Sequence, residues 1–181
     1  MNSRNYEVTN SNSRKPQLGY GSDLVMPKYS ESLGNFLDSK EVWHRFVEFS
    51  EPVKTVEQAS RKVPAEKIVK SIVMIDSNGV PLLAILRAQN KLSFRKIKQL
   101  LSVNDVRLAS AEEVLNASGF PAGGVAPFNP ITRTLLDPTV LTIETCFVGG
   151  GDVDKLLEVR TRDIVEIMRP RIADILDERK E

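Results

Sequence analysis

Apolar residues along the chain change period several times, and each change marks an element. Over 68–75 the order IVKSIVMI is almost continuously apolar, which reads as a buried strand entered from a short helix. Asp76, Ser77, Asn78 and Gly79 follow it. Asn-Gly between two apolar runs is a strong hairpin signal, so 80–87 (VPLLAILR) is the partner strand. Pro81 puts the start of that strand at an edge or a bulge. Upstream, Leu33, Phe36 and Leu37 share one face of a helix over 30–38. Residues 42–49 (VWHRFVEF) read as a first strand, with Trp43 and Phe49 as anchors. Thr55 and Gln58 form a capping box for a helix running to 62 or 63, and Pro64 opens the next turn.

Downstream, Ser93 caps a helix over 94–101 with Ile97, Leu100 and Leu101 facing inward. A short strand occupies 106–108. Ser110 and Glu113 form a second capping box, for a helix that Gly119 stops in the left-handed conformation. Residues 132–136 are read as a strand, and 141–148 (LTIETCFV) alternates like a half-buried one. A last strand is expected over 156–160. Thr161 is expected to cap a helix over 162–168, which Pro170 kinks or restarts before the chain closes.

The tally of about seven short strands and four or five helices, with hairpins and crossovers mixed, predicts an α+β fold. Its expected architecture is a single domain over 29–181 with one mixed, strongly curved, barrel-like sheet flanked by helices. Residues 1–28 are polar, rich in Asn, Ser and Gly, and read as a poorly ordered tail.

Composition narrows the function classes. Among 181 residues, 25 Lys and Arg oppose 24 Asp and Glu. A net charge of +1 excludes nucleic-acid binding by bulk charge and leaves room for a local patch of Arg87, Lys91, Arg95, Lys96 and Lys98. One cysteine excludes an internal disulfide. No apolar run approaches the roughly 20 residues of a membrane span, and the N-terminus has no signal-peptide core. The cytoplasm is the expected compartment.

Lys70 is the first candidate for chemistry. A lysine inside an apolar strand is costly unless its ammonium reaches a cleft or a partner. It either binds an anionic or carbonyl oxygen at a pocket floor or extends past the sheet rim into water. The second candidate is the loop 120–130 (FPAGGVAPFNP), with three prolines and two glycines in eleven residues. There Gly123 and Gly124 let a ligand approach the backbone N–H groups, while Val125, Pro127 and Phe128 supply a stiff apolar wall. A tight packing loop is the alternative. The third is Gly149, Gly150 and Gly151, which lack the context of a phosphate-binding loop and also suit a plain turn. His44, the lone histidine, has no second His or Cys at ligand spacing, so no metal and no cofactor are expected. Cys146 reads as a packed residue.

The order TVEQAS, IVKSIVMI, the Asn-Gly hairpin, LSFRKIKQLL, ASAEEVLNASGFPAGGVAPF, ETCFVGGG and LLEVR resembles the YbaK/prolyl-tRNA-synthetase-associated domain family of aminoacyl-tRNA deacylases, over about 42–167. The resemblance implies a free-standing, trans-acting hydrolase that removes a wrong small amino acid from tRNA, often tRNA-Pro. Its partner is the aminoacyl-tRNA 3′ end, and prolyl-tRNA synthetase is a second candidate. No membrane partner is expected, and the oligomeric state is open. The family lysine falls on Lys70, the GG-x-x-P loop on Gly123, Gly124 and Pro127, and the glycine-rich turn on Gly149, Gly150 and Gly151. Some bacterial members carry a serine where this chain has Gly149 and an acidic residue where it has Leu157. On this reading Lys70 engages the terminal nucleotide or the ester, N–H groups of the Gly123–Gly124 loop hold the acyl carbonyl, and water attacks. A non-catalytic aminoacyl- or nucleotide-binding module, or a synthetase-associated adaptor, is the alternative.

Overall fold

A computed structural model describes residues 28–178. Residues 1–27, which hold nearly all of the expected tail, and residues 179–181 lie outside the described residues. The first described element is α1, Tyr29–Ser39, and it buries Leu33, Phe36 and Leu37. Each such side chain contributes about 1.5–3 kcal/mol when fully withdrawn from water.

The strands form two open sheets rather than one. The first has three antiparallel strands in the order β1 (His44–Glu48), β7 (Lys155–Arg160), β6 (Thr145–Gly149). The second has five, in the order β4 (Val106–Leu108), β2 (Val69–Asp76), β3 (Pro81–Arg87), β5 (Thr134–Leu136), β8 (Arg171–Ile172). Among the described residues, a single parallel bridge, Ile68 to Phe147, joins them. This corrects the expected barrel-like sheet. Closure needs long staggered strands at the seam, and the outer strands of the larger sheet are only three and two residues long. The strand expected over 141–148 is also shortened. Asp137 caps a 3-10 turn, Pro138–Thr142, by accepting from the Thr139 N–H, so β6 begins only at Thr145.

The β2–β3 hairpin forms as its pattern dictates, in the register Val69 to Arg87 through Ile75 to Pro81. Asp76 closes the turn by accepting from the N–H groups of Asn78 and Val80, at 2.8 and 2.9 Å, and from Arg133 Nη1 at 2.6 Å. The Arg133 hydrogen bond leads the interactions that hold its carboxyl below the usual aspartate range. Pro81 precedes Leu83, the first β3 residue paired with β5, so its missing N–H interrupts no ladder on that side.

Both capping boxes form, on α2 (Val56–Ala59) and α4 (Ala111–Ser118). Between them lies α3, Phe94–Leu101. Helix α5, Thr161–Met168, starts one residue earlier than expected: Arg160 is its N-cap and provides no side-chain hydrogen bond. Among the described residues no helix restarts after Pro170. Arg171 and Ile172 pair in parallel with β5 instead, because proline cannot donate to a continuing helix. The main core lies between the sheets and gathers α1, α4 and α5, while a smaller core under α3 covers the far face of β2 and β3.

Candidate active site

A cleft of about 380 Å³ opens beside the point where the two sheets approach. Strand β2 contributes Lys70, Ser71 and Ile72, and the α2 segment contributes Val53, Val56 and Ala59. The opposite wall is Gly123 and Val125 from the proline-rich loop, Gly149 from β6 and Leu156 from β7. Lys70 and the glycine-lined bend therefore face one cavity, although more than fifty residues separate them in sequence.

Lys70 is half-buried. Burial alone lowers its pKa below the ordinary lysine value, and among the described residues no carboxylate or hydrogen-bond acceptor meets its ammonium. It is a partly desolvated cation without a counter-ion, which favours an incoming anion or carbonyl oxygen. Next to it, the Ser71 Oγ is buried with no hydrogen-bond partner among the described residues.

The opposite wall is made of backbone packed on backbone. The Gly151 N–H donates to the Gly124 oxygen at 2.8 Å, which ties the two glycine-rich segments together. A Cβ on Gly149 would lie 2.6 Å from the Val125 carbonyl carbon, and one on Gly124 would lie 2.8 Å from the Asp152 carbonyl carbon. Neither position has room for a side chain. Gly150 faces the Lys155 backbone in the same way, and Gly151, at φ +92°, faces the amide of Ser30. Ser30, Asp152 and Lys155 lock this seat. The Ser30 hydroxyl donates to Asp152, and Lys155 Nζ lies 3.0 Å from Ser30 Oγ and 3.6 Å from Asp152.

Of the residues singled out in the sequence, Lys70, Gly123, Val125 and Gly149 line the cleft. Gly124, Gly150 and Gly151 stand behind it as packing positions. Pro127 is buried, and Phe128 is fully buried with its ring 6.4 Å from that of Phe36. The Gly124 N–H is spent on the Pro121 oxygen at 2.9 Å, so it is not offered to a ligand. The N–H groups of Gly123 and Val125 donate to no described residue.

Asn129 escaped the sequence reading. It is 1% exposed, and its Nδ2 donates to the Ala126 and Pro127 oxygens while its Oδ1 accepts from Ile131. Its position between Phe128 and Pro130 was a turn signal for that role. His44 is away from the cleft, with Nδ1 2.9 Å from the Val42 oxygen and its ring edge-on to Phe46. Cys146 is fully buried, and burial pushes its thiol up to about 11. Among the described residues no group of three His, Cys, Asp or Glu could hold a metal, and no helix is long and apolar enough to cross a membrane.

The family model described as an aminoacyl-tRNA editing domain matches residues 50–167, more than half of the chain. Over 104 residues, or 56% of the chain, the sequence is 33% identical to a proline–tRNA ligase of Thermotoga neapolitana. Over 140 residues, or 75% of the chain, it is 29% identical to a proline–tRNA ligase of Lactobacillus johnsonii. The matched regions span only 18% and 24% of those ligases. The solved structure of the hypothetical protein APE2540 is 28% identical, with a TM-score of 0.72 over 80% of this chain and 99% of its own.

Proposed function

Since the chain belongs to the aminoacyl-tRNA editing domain family, we propose that its cleft hydrolyses the ester between a wrong small amino acid and the 3′-terminal ribose of tRNA-Pro. The observation that carries this reading is the unpaired Lys70 ammonium facing a wall with two uncommitted N–H groups, those of Gly123 and Val125. An aminoacyl ester is already reactive, so catalysis needs position and charge stabilisation more than a strong base. The Gly123 and Val125 N–H groups receive the acyl carbonyl oxygen as it gains negative charge. Lys70 holds the terminal nucleotide or the ester oxygen.

Water forms the new bond to the carbonyl carbon, the bond to the ribose oxygen breaks, and the proton from water ends on that oxygen. The substrate's own neighbouring hydroxyl is suited to relay it. The products are a free amino acid and uncharged tRNA. Selectivity is set by what the terminal nucleotide leaves of the cleft, which is bounded by the glycine wall and the apolar side chains of Val56, Ala59 and Ile72.

Two observations bear on the substrate and on action in trans. The sequence relatives named above are proline–tRNA ligases, which points to tRNA-Pro, and the fold makes up 99% of one solved chain, which favours a unit acting in trans. The test is a deacylation assay across a panel of aminoacyl-tRNAs. Turnover of mischarged tRNA-Pro with release of a small amino acid is expected. Saturable binding without product would replace the hydrolase by a binding module.

A further inference from the structure

The three-stranded sheet has one face in the main core and one turned away from it. On β7 the outward residues are Leu156, Glu158 and Arg160, and the ladder sets Val47 and Arg45 of β1 beside the first two. One end of this face is apolar and forms the cleft: Leu156, Val47 and Phe147 pack there with Ala59 and Ile68. The other end is uncovered and of different chemistry. The indole of Trp43 is 43% exposed, and the Arg160 guanidinium lies over its ring, 5.7 Å from the centroid. Beside them is a second hollow, of about 390 Å³, lined by Arg160, Arg162, Glu144 and the 44%-exposed Leu141.

We infer that this uncovered end of the sheet is the platform for the unpaired 3′ end of the RNA whose last residue occupies the cleft. The inference rests on the reading of the cleft as an aminoacyl-ester site. Arg160 and Leu156 are four residues apart on one strand face, about 13 Å at the rise of a strand, the span of a short run of nucleotides. An exposed indole paired with a guanidinium is the chemistry that stacks on any base and meets the adjacent phosphate. Among the described residues Arg160 has no carboxylate partner, so its charge is available to a polyanion. Of the two guanidiniums at the hollow, Arg162 pairs with Asp163 at 3.7 Å, which leaves the Arg160 guanidinium over Trp43 as the cation offered to a phosphate. An apolar peptide would find only an isolated indole and one leucine, separated by these charges.

Trp43 is the only tryptophan in the chain, so its fluorescence reports on this surface directly. Titration of the intact protein with uncharged tRNA, and with a short single strand ending in CCA, is expected to quench it saturably and less so at higher salt. In deacylation of charged tRNA, Trp43→Ala and Arg160→Gln are each expected to raise KM about tenfold with kcat unchanged, and Trp43→Phe to restore most of the loss. Hydrolysis of an aminoacyl-adenosine, which lacks the preceding nucleotides, should be unaffected by either change. The inference is overturned if RNA leaves the fluorescence unchanged, if only prolyl-tRNA synthetase quenches it, or if both variants keep the wild-type KM. Quenching by RNA without turnover of any aminoacyl-tRNA would sink the hydrolase reading and leave the platform standing.

Discussion

The two walls of the cleft are built on opposite principles. The β2 wall is a regular strand in the middle of a sheet, paired with β3 along its length and with β4 at its end. Its ladder fixes the backbone, so its side chains are free to face the cleft, and Lys70 does. The facing wall is mostly backbone, with the side chains of Val125 and Leu156 added to it. Gly123, Gly124, Gly149, Gly150 and Gly151 bring three stretches of backbone into contact, and the Ser30–Asp152–Lys155 cluster clamps them from behind. One wall therefore offers function at little cost to folding. The other offers shape, and its shape is the fold.

The comparison predicts how each wall breaks. Lys70→Met should lower kcat/KM about 10²–10³-fold, or roughly 2.7–4 kcal/mol of barrier, without lowering the melting temperature. The sign follows from the lowered pKa of Lys70. The unfolded chain binds the proton more tightly, so the protonated lysine opposes folding, and stability rises as pH climbs through the folded-state value. A variant that melts well below wild type would make Lys70 a structural residue. The same lowered pKa places the alkaline limb of kcat/KM below that of an ordinary lysine. Lys70→Arg should move the limb upward, and an unmoved limb would detach it from this residue.

On the glycine wall, Gly149→Ala must displace the Val125 backbone. It should cost about 1–3 kcal/mol in denaturant melts and take activity with it. Equal stability and activity would show that the wall yields. The smallest effect is expected from Ser110→Ala, which removes the cap of α4, the helix that leads into the proline-rich loop. A loss of about 1 kcal/mol with kcat unchanged would separate the support of the wall from its surface, and a fall in kcat would join them.

The two walls also differ in how far they could be read from sequence. The hairpin and the caps were legible because their causes are local: Asn78-Gly79, Thr55 with Gln58, Ser110 with Glu113. Lys70 stood out because a charge interrupts an apolar run. The division into two sheets had no local signal, since LTIETCFV looks alike whether it begins at residue 141 or 145, and only the Asp137–Pro138 start of the 3-10 turn decides. The contact of Gly149 with Val125 lies beyond any window, as does the seat of Ser30 on Gly151. The apolar lining, Val53, Val56, Ala59 and Leu156, was hidden for another reason. Cleft and core draw on the same residue types, and only the coordinates separate them. Trp43 illustrates the reverse case: the strand pattern suggested an anchor, and the indole stands in the open beside Arg160.

The missing room at Gly149 also bears on engineering. A methyl group at Gly149 would press into the Val125 backbone, so on this side the cavity can be reshaped only through the side chains of Val125 and Leu156. Val56, Ala59, Ile72 and Ala88 line the other side, where exchanges among alanine, valine and leucine would change the cavity in steps of a methyl or two.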